Sequence, residues 1–548
     1  MRLFLINNEK VILKVVIIIL FFNLLFVSSF NIFTIPKMAK SDSISIKNSS
    51  FFSPIKWELN WSITKNQTDK WSLDIADLTK NAHNDIISGN LGNISIFNDN
   101  KLNETLGLTN NYTTLISIAD LDSNSHNELV CANGNNLSIY IYINNLSLMA
   151  SILVSRNITV LLVKDILREL SGAKKLEIIT GDEVGNVTIW RFDMITNKFS
   201  IIQSIKFSDK ITGMAVNDFT ANRNMDLAVV TDSGNFTLLW WNWAPKLVKA
   251  YSTIISTTTH NFQIMDLNFD NRRGSELLTC DSNGNISVWK NIPGVAVKII
   301  FTTKIYKAIS AMDISDLNND GIQEILIGTE TGNLSIWTVI DNKIDMISSV
   351  LTKTNISSIK AGNLDNDPLF EIVVGCLNNL SVYKLHLADL IINSFKIDKI
   401  ILYRGEVLTA TVNISNIGDY PAYNISIGIY WDDITLAYKL GAEKTINILN
   451  VGNSTEITLI VPSSMRNILY HWIIARVNNK YSVFESDMTD HQDMRILIRL
   501  LGFDWIWVII IVSILLILIT IAIYVLPQFK KEEQTKKSHK KFKTKRKN

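Results

Sequence analysis

Cysteine is scarce in this chain: Cys131, Cys280 and Cys376 are the only three among 548 residues. That count excludes a disulfide-stapled scaffold. With seven histidines it also leaves little material for a Cys/His metal enzyme. Eight prolines and 23 glycines exclude Pro-rich low complexity and a collagen-like repeat. Catalytic signatures are missing as well: there is no G-x-S-x-G, no H-E-x-x-H, no P-loop and no G-x-G-x-x-G leading into a helix. What is present is 47% hydrophobic residues with a net charge of only +2, which excludes a wholly disordered chain.

The small net charge is an average over unlike regions. Residues 1–40 carry +4, the tail 528–548 carries +8, and residues 41–504 are left with −10. The apolar run VVIIILFFNLLFVSSF at 15–30 follows Arg2, Lys10 and Lys14, so 1–30 is read as a signal peptide or N-terminal anchor, with a linker over 31–56. A second uncharged run, 505–526, has Trp505 and Trp507 at one end and Tyr524 at the other. About 20 apolar residues flanked by interfacial aromatics predict a transmembrane helix. The basic tail 527–548 is then cytoplasmic by the positive-inside rule, and its lysines suit lipid headgroups rather than nucleic acid. Eighteen N-x-S/T sequons lie between the two apolar runs, as an exported, glycosylated surface would have them.

Seven similar units fill residues 57–388. The clearest is MDISDLNNDGIQEILIGTETGNLSIW at 312–337. One acid opens the second strand of each: Asp85, Glu128, Glu177, Asp226, Glu276, Glu324 and Glu371. Each period holds four short alternating runs with turn residues between them, the pattern of a β-propeller blade. The seventh unit has three strands, and an orphan run, WELNWSI at 57–63, precedes the first; it is expected to complete blade seven. An aromatic residue ends each third strand (Phe97, Tyr140, Trp190, Trp240, Trp289, Trp337, Tyr383) and is expected to pack between blades. Seven sequons recur at one blade position, from Asn93 to Asn379, where hairpin-turn chemistry alone also favours Asn.

D-L-N-N-D-G-I-Q-E-I-L-I-G at 316–328 and its copies resemble the FG-GAP/VCBS repeats of integrin α-subunit propellers and microbial surface proteins. In unit six, Asp316, Asn318, Asp320 and Glu324 fall at positions 1, 3, 5 and 9 of a loop, with Gly321 at 6. Alternate oxygens in such a loop can surround a hard cation, as in an EF-hand. Unit two matches with Asp120, Asp122, Asn124 and Glu128, and unit seven with Asn363, Asp365, Asp367 and Glu371. The resemblance implies structural Ca²⁺ in these three turns. Units one (Asp77, Thr79, Asn81, Asp85) and four (Asp218, Thr220, Asn222, Asp226) carry fewer charges. Lys174 and Lys175 in unit three and Arg272 and Arg273 in unit five argue against a metal there. Asx-type turns without metal are the alternative for all seven.

Residues 389–499 read as a second β domain, a seven-stranded immunoglobulin-like sandwich. Gly405-Glu406, V-N-I-S-N-I-G at 412–418, N-V-G-N-S-T at 450–455 and A-R-V-N at 475–478 resemble the CARDB family of bacterial and archaeal surface proteins. The expected fold is all-β: a seven-bladed β-propeller, an immunoglobulin-like β-sandwich and one C-terminal transmembrane helix. The expected function is non-enzymatic: a single-pass adhesion or binding protein, its ectodomain outside a prokaryotic, archaeal-type cell, presenting the propeller to a protein or glycan. A polysaccharide lyase or hydrolase on a propeller, or a scaffold subunit of a surface complex, is the alternative. Calorimetric titration of the chelated chain with Ca²⁺ should release or absorb heat and raise the melting temperature. Absence of both heat and a melting shift would remove the cation from this reading.

Overall fold

The computed structural model describes residues 54–538 apart from short internal stretches, the longest being 168–174, 256–262, 268–275 and 463–469. The expected signal or anchor segment 1–30, residues 31–53 of the expected linker, the loop holding Arg272 and Arg273, Lys174, and residues 539–548 lie outside the described residues.

The described residues of 56–386 form seven four-stranded antiparallel sheets. Unit one is typical: Ser72–Ala76, Asp85–Asn90, Asn93–Asn98 and Lys101–Gly107, in that order. Past the opening acid, second strands are mainly apolar, as strands covered on both faces must be. Glu128–Asn133 and Glu371–Cys376 are buried at every position. Fourth strands alternate: Lys198–Lys206 exposes every second residue or more and forms an outer edge. The first strands pack against one another in sequence, one to two through six to seven, and seven returns to one.

Closure uses the start of the chain. Lys56–Thr64 pairs antiparallel with Asn379–His386, so unit seven is completed by the strand that precedes unit one. Its side chains reach both neighbours. Trp57 Nε1 donates to Ser348 Oγ of unit six at 2.9 Å. Trp61 packs against Phe97 of unit one, centroids 5.8 Å apart. Beside the ring axis, Lys360 on the first strand of unit seven lies 3.3 Å from Asp313 Oδ1 of unit six. The Asp313 carboxylate, and behind it Asp74 of unit one, raise the Lys360 pKa.

A register shift recurs between third and fourth strands at the aromatic position, as at Ile96/Phe97, Ile189/Trp190 and Ile336/Trp337. A bulge there adds local twist. It also corrects one assignment. In unit four Leu227 faces Leu239, where Ile178 faces Trp190 in unit three. Leu239 is the buried residue at that place, and Trp240 is 43% exposed. The double Trp at 240–241 displaced the alignment by one.

Among its described residues the second domain has eight strands, one more than expected. Leu390–Ile397, Val407–Asn416 and Ser454–Pro462 make one sheet. Ile401–Tyr403, Asp493–Leu501, Tyr470–Val477, Ala422–Trp431 and Lys439–Leu449 make the other. The extra strand arises because the chain leaves the first sheet after Ile397 and Ile401–Tyr403 joins the second, parallel to Asp493–Leu501. This sandwich is seated on the ring. Phe484 and Leu387 enter the apolar cluster of units six and seven. Asn318 Nδ2 donates to the Glu485 carbonyl at 2.9 Å. His386 bridges Glu58 Oε2 at 2.8 Å and Asp419 Oδ2 at 2.5 Å.

The segment expected to span a membrane is helical but differs in length. Its α-helix covers Trp505–Thr520, 16 residues, and passes into a π-helical turn at Ile521–Val525. Sixteen residues rise ~24 Å against a hydrocarbon core of ~30 Å. Among the described residues no helix is long and apolar enough to cross a membrane. The α-winding ends where Thr520 Oγ1 donates back to the Leu516 carbonyl at 2.6 Å, a bond that bends helices.

Replacing residues 56–64 by a Gly/Ser linker should expose the edge strand Asn379–His386 and lower the melting temperature by several degrees. A peptide of sequence KWELNWSIT should restore part of the loss. An unchanged melting curve would rule out ring closure by this strand.

Candidate cation-binding turns

The acid opening each second strand is buried: Asp85, Glu128, Glu177, Asp226, Glu276, Glu324 and Glu371 are at most 3% exposed. A buried carboxylate needs donors or a cation. One donor comes from the loop's second residue. Leu78, Leu121, Leu317 and Leu364 donate backbone N–H to Asp85, Glu128, Glu324 and Glu371 at 2.8–3.0 Å.

Four loops share one conformation. Positions 4 and 6 have left-handed φ in unit one (Lys80, Ala82), two (Ser123, Ser125), four (Ala221, Arg223) and six (Asn319, Gly321). The first carboxylate then accepts from the N–H groups of positions 5 and 6: Asp120 from Asn124 and Ser125 at 3.0 and 2.8 Å, Asp316 from Asp320 and Gly321 at 3.0 and 2.8 Å. Ser125 thus adopts the backbone that glycine has in unit six, at φ 67°. In unit seven Pro368 holds position 6, where its ring forbids positive φ.

The structure brings two of the three expected carboxylate sets together. Ligand oxygens of Asp120, Asp122 and Glu128 lie within 4.8 Å of one another, as do those of Asp365, Asp367 and Glu371. No third such group occurs among the described residues, so Asp316, Asp320 and Glu324 are more widely spread. Asn124 contributes to the unit-two loop by accepting from His126 N–H at 2.7 Å. In unit six Asn318 is 1% exposed, and its Oδ1 is buried without a hydrogen bond. Asn363 Nδ2 of unit seven instead donates to the Asp367 carbonyl.

Electrostatics separate the turns. Burial, with Asp122 and Asp120 adding to it, pushes Glu128 up to about 7. Burial and the nearby Asp320 raise Glu324 well above the carboxylate range. Burial brings Asp226 to about 6, and its Oδ1 has no hydrogen-bond partner. Units three and five differ because a basic side chain pairs with the acid, and unit seven because one pairs with its loop carboxylates, although burial still pushes Glu371 up to about 7. Arg191 Nη2 lies 2.8 Å from Glu177 Oε1, Lys290 pairs with Glu276, and Lys384 Nζ sits 2.5 Å from Asp365 and 2.6 Å from Asp367. Sequence reasoning missed these three cations. The signal was a basic residue directly after the third-strand aromatic, in W-R, W-K and Y-K.

Other residues have plainer roles. Cys131, Cys280 and Cys376 are buried, and none of them forms a disulfide. Asn186 and Asn285, at the recurring sequon position, donate to Asp182 and Asp281 and so tie their hairpin turns.

Residues 387–493 match the CARDB family. No curated protein matches the chain. Among solved structures, the chain is similar to a crystal structure of BBS1N in complex with ARL6DN, soaked with mercury. The identity is 11% and the TM-score 0.48, covering 60% of this chain and 96% of that one. A lead-soaked form of the same complex gives 10% identity and a TM-score of 0.46 with the same coverage.

A carboxyl raised on folding stabilises the fold below its unfolded value near 4.5, and that contribution is lost as pH rises through the folded value near 7. Without cation, Glu128 should therefore cost about 1–3 kcal/mol above pH 8. Glu128→Gln should raise the denaturant midpoint in chelator at pH 8, change it little at pH 4, and weaken the response to Ca²⁺. A lower midpoint at pH 8 would overturn this account.

Proposed function

We propose that this chain is a membrane-anchored cell-surface binding or adhesion protein, built as a seven-bladed β-propeller of FG-GAP/VCBS type on a CARDB-like stalk. The carrying observation is the cycle of seven four-stranded sheets seated on a sandwich that matches CARDB. Such a ring offers a broad face of loops, and the sandwich spaces it from whatever holds the other end. The apolar segment 505–526 serves as anchor, with the basic tail on the cytoplasmic side, and the acidic ectodomain faces outward. Calcium, held in the turns of units two and six, supplies charge to buried carboxylates and stiffens the loops; it performs no chemistry. The bound molecule is an extracellular protein or glycan.

Probing glycan and protein arrays with the purified full-length chain should give calcium-dependent binding to a restricted set of glycans or surface proteins. Turnover of a polysaccharide without stable binding would instead establish the lyase or hydrolase reading.

A further inference from the structure

The register between second and third strands places one residue opposite the buried acid in every unit. Ile372 faces Tyr383, so the next pair is Glu371 and Lys384. The same step gives Glu177 with Arg191, Glu276 with Lys290, Glu128 with Ile141 and Glu324 with Thr338. This position, one past the aromatic, is basic in units three, five and seven and uncharged in two and six.

Unit seven is the informative case, because its loop keeps the acids that a metal would need. The Lys384 ammonium lies 2.5 Å from Asp365 Oδ2, 2.6 Å from Asp367 Oδ2 and 4.0 Å from Glu371 Oε1. It stands among the same three carboxylates that come within 4.8 Å of one another. An ammonium has three donors and one charge on a flexible stem, so it hydrogen-bonds Asp365 and Asp367 and offsets the charge of Glu371 from 4.0 Å, work that otherwise requires an ion from solution.

We propose that Lys384 is the resident cation of the unit-seven turn, which closes without a metal, and that the residue after the third-strand aromatic decides which blades take a divalent ion. Arg191 and Lys290 play the same part in units three and five. Ile141 and Thr338 bring no charge, so the carboxylates of units two and six depend on an external cation. That second half rests on the calcium reading above; the first half does not.

The two halves separate in a calorimetric Ca²⁺ titration of the full-length chain. Lys384→Met should add one divalent site, and Lys384→Met/Asp367→Asn should remove it again. Ile141→Lys should remove one site from the otherwise unchanged chain. An unaltered stoichiometry in a Lys384→Met protein that melts cooperatively would overturn the proposal. Should that variant not fold, Asp367→Asn in the otherwise unchanged chain decides: an unaffected site count supports a resident lysine, and the loss of one site overturns it. A chain that binds no Ca²⁺ until Lys384 is replaced would defeat the calcium reading of units two and six while upholding Lys384.

Discussion

A carboxylate buried at the mouth of each second strand is the constraint around which the ring is organised. Seven times the chain carries an acid into the space between sheets, and each time the surroundings must answer it. The loop backbone answers part: its second residue donates, and the left-handed residues at positions 4 and 6 bend the chain so that it can. The remainder comes from different sources in different units. Thr79 serves Asp85 and Thr220 serves Asp226 through hydroxyls, while Arg191 serves Glu177 through a guanidinium. Repeats that look alike in sequence therefore differ in how their charge is balanced.

Two other joints follow the same logic of local satisfaction. Lys360 sits where units six, seven and one meet, and Asp313 also accepts from the Ala361 N–H at 2.8 Å, so the closing seam is tied by charge and by backbone. Where the sandwich is seated, Glu485 is fully buried. It accepts from the Leu390 N–H at 2.7 Å while its own carbonyl takes the Asn318 amide. Asn318 belongs to the unit-six turn, so one side chain stands in both the acidic loop and the joint between domains.

Much of this was legible in the residues. The period set by the seven acids marks the sheets, because an acid at a strand start and a Gly-Asn turn after it are local signals that survive without any partner in view. The Trp240 assignment failed for the opposite reason: a tryptophan next to the position fits the pattern, and only the bulge between Leu238 and Leu239 shows that Leu239 holds it. Acidic spacing foretold the clusters of units two and seven but not Lys384. That lysine is distant from the loop in sequence and reaches it through strand pairing. Nor could loop spacing show that Asn318 touches the second domain, 167 residues further on.

The strand Lys56–Thr64 bears on how the molecule is made. Glu58 and His386 meet at a separation of 328 positions along the chain. Contacts of such separation form late, because a very long loop must close before they give any return. During synthesis the opening strand therefore waits, unpaired, until nearly the whole ring has emerged. A waiting strand with two tryptophans invites association with other chains, and Lys56 and Glu58 are the kind of charges that discourage it. Assembly order is thus written into the topology: six sheets can form as they appear, and the seventh registers that the ring is complete.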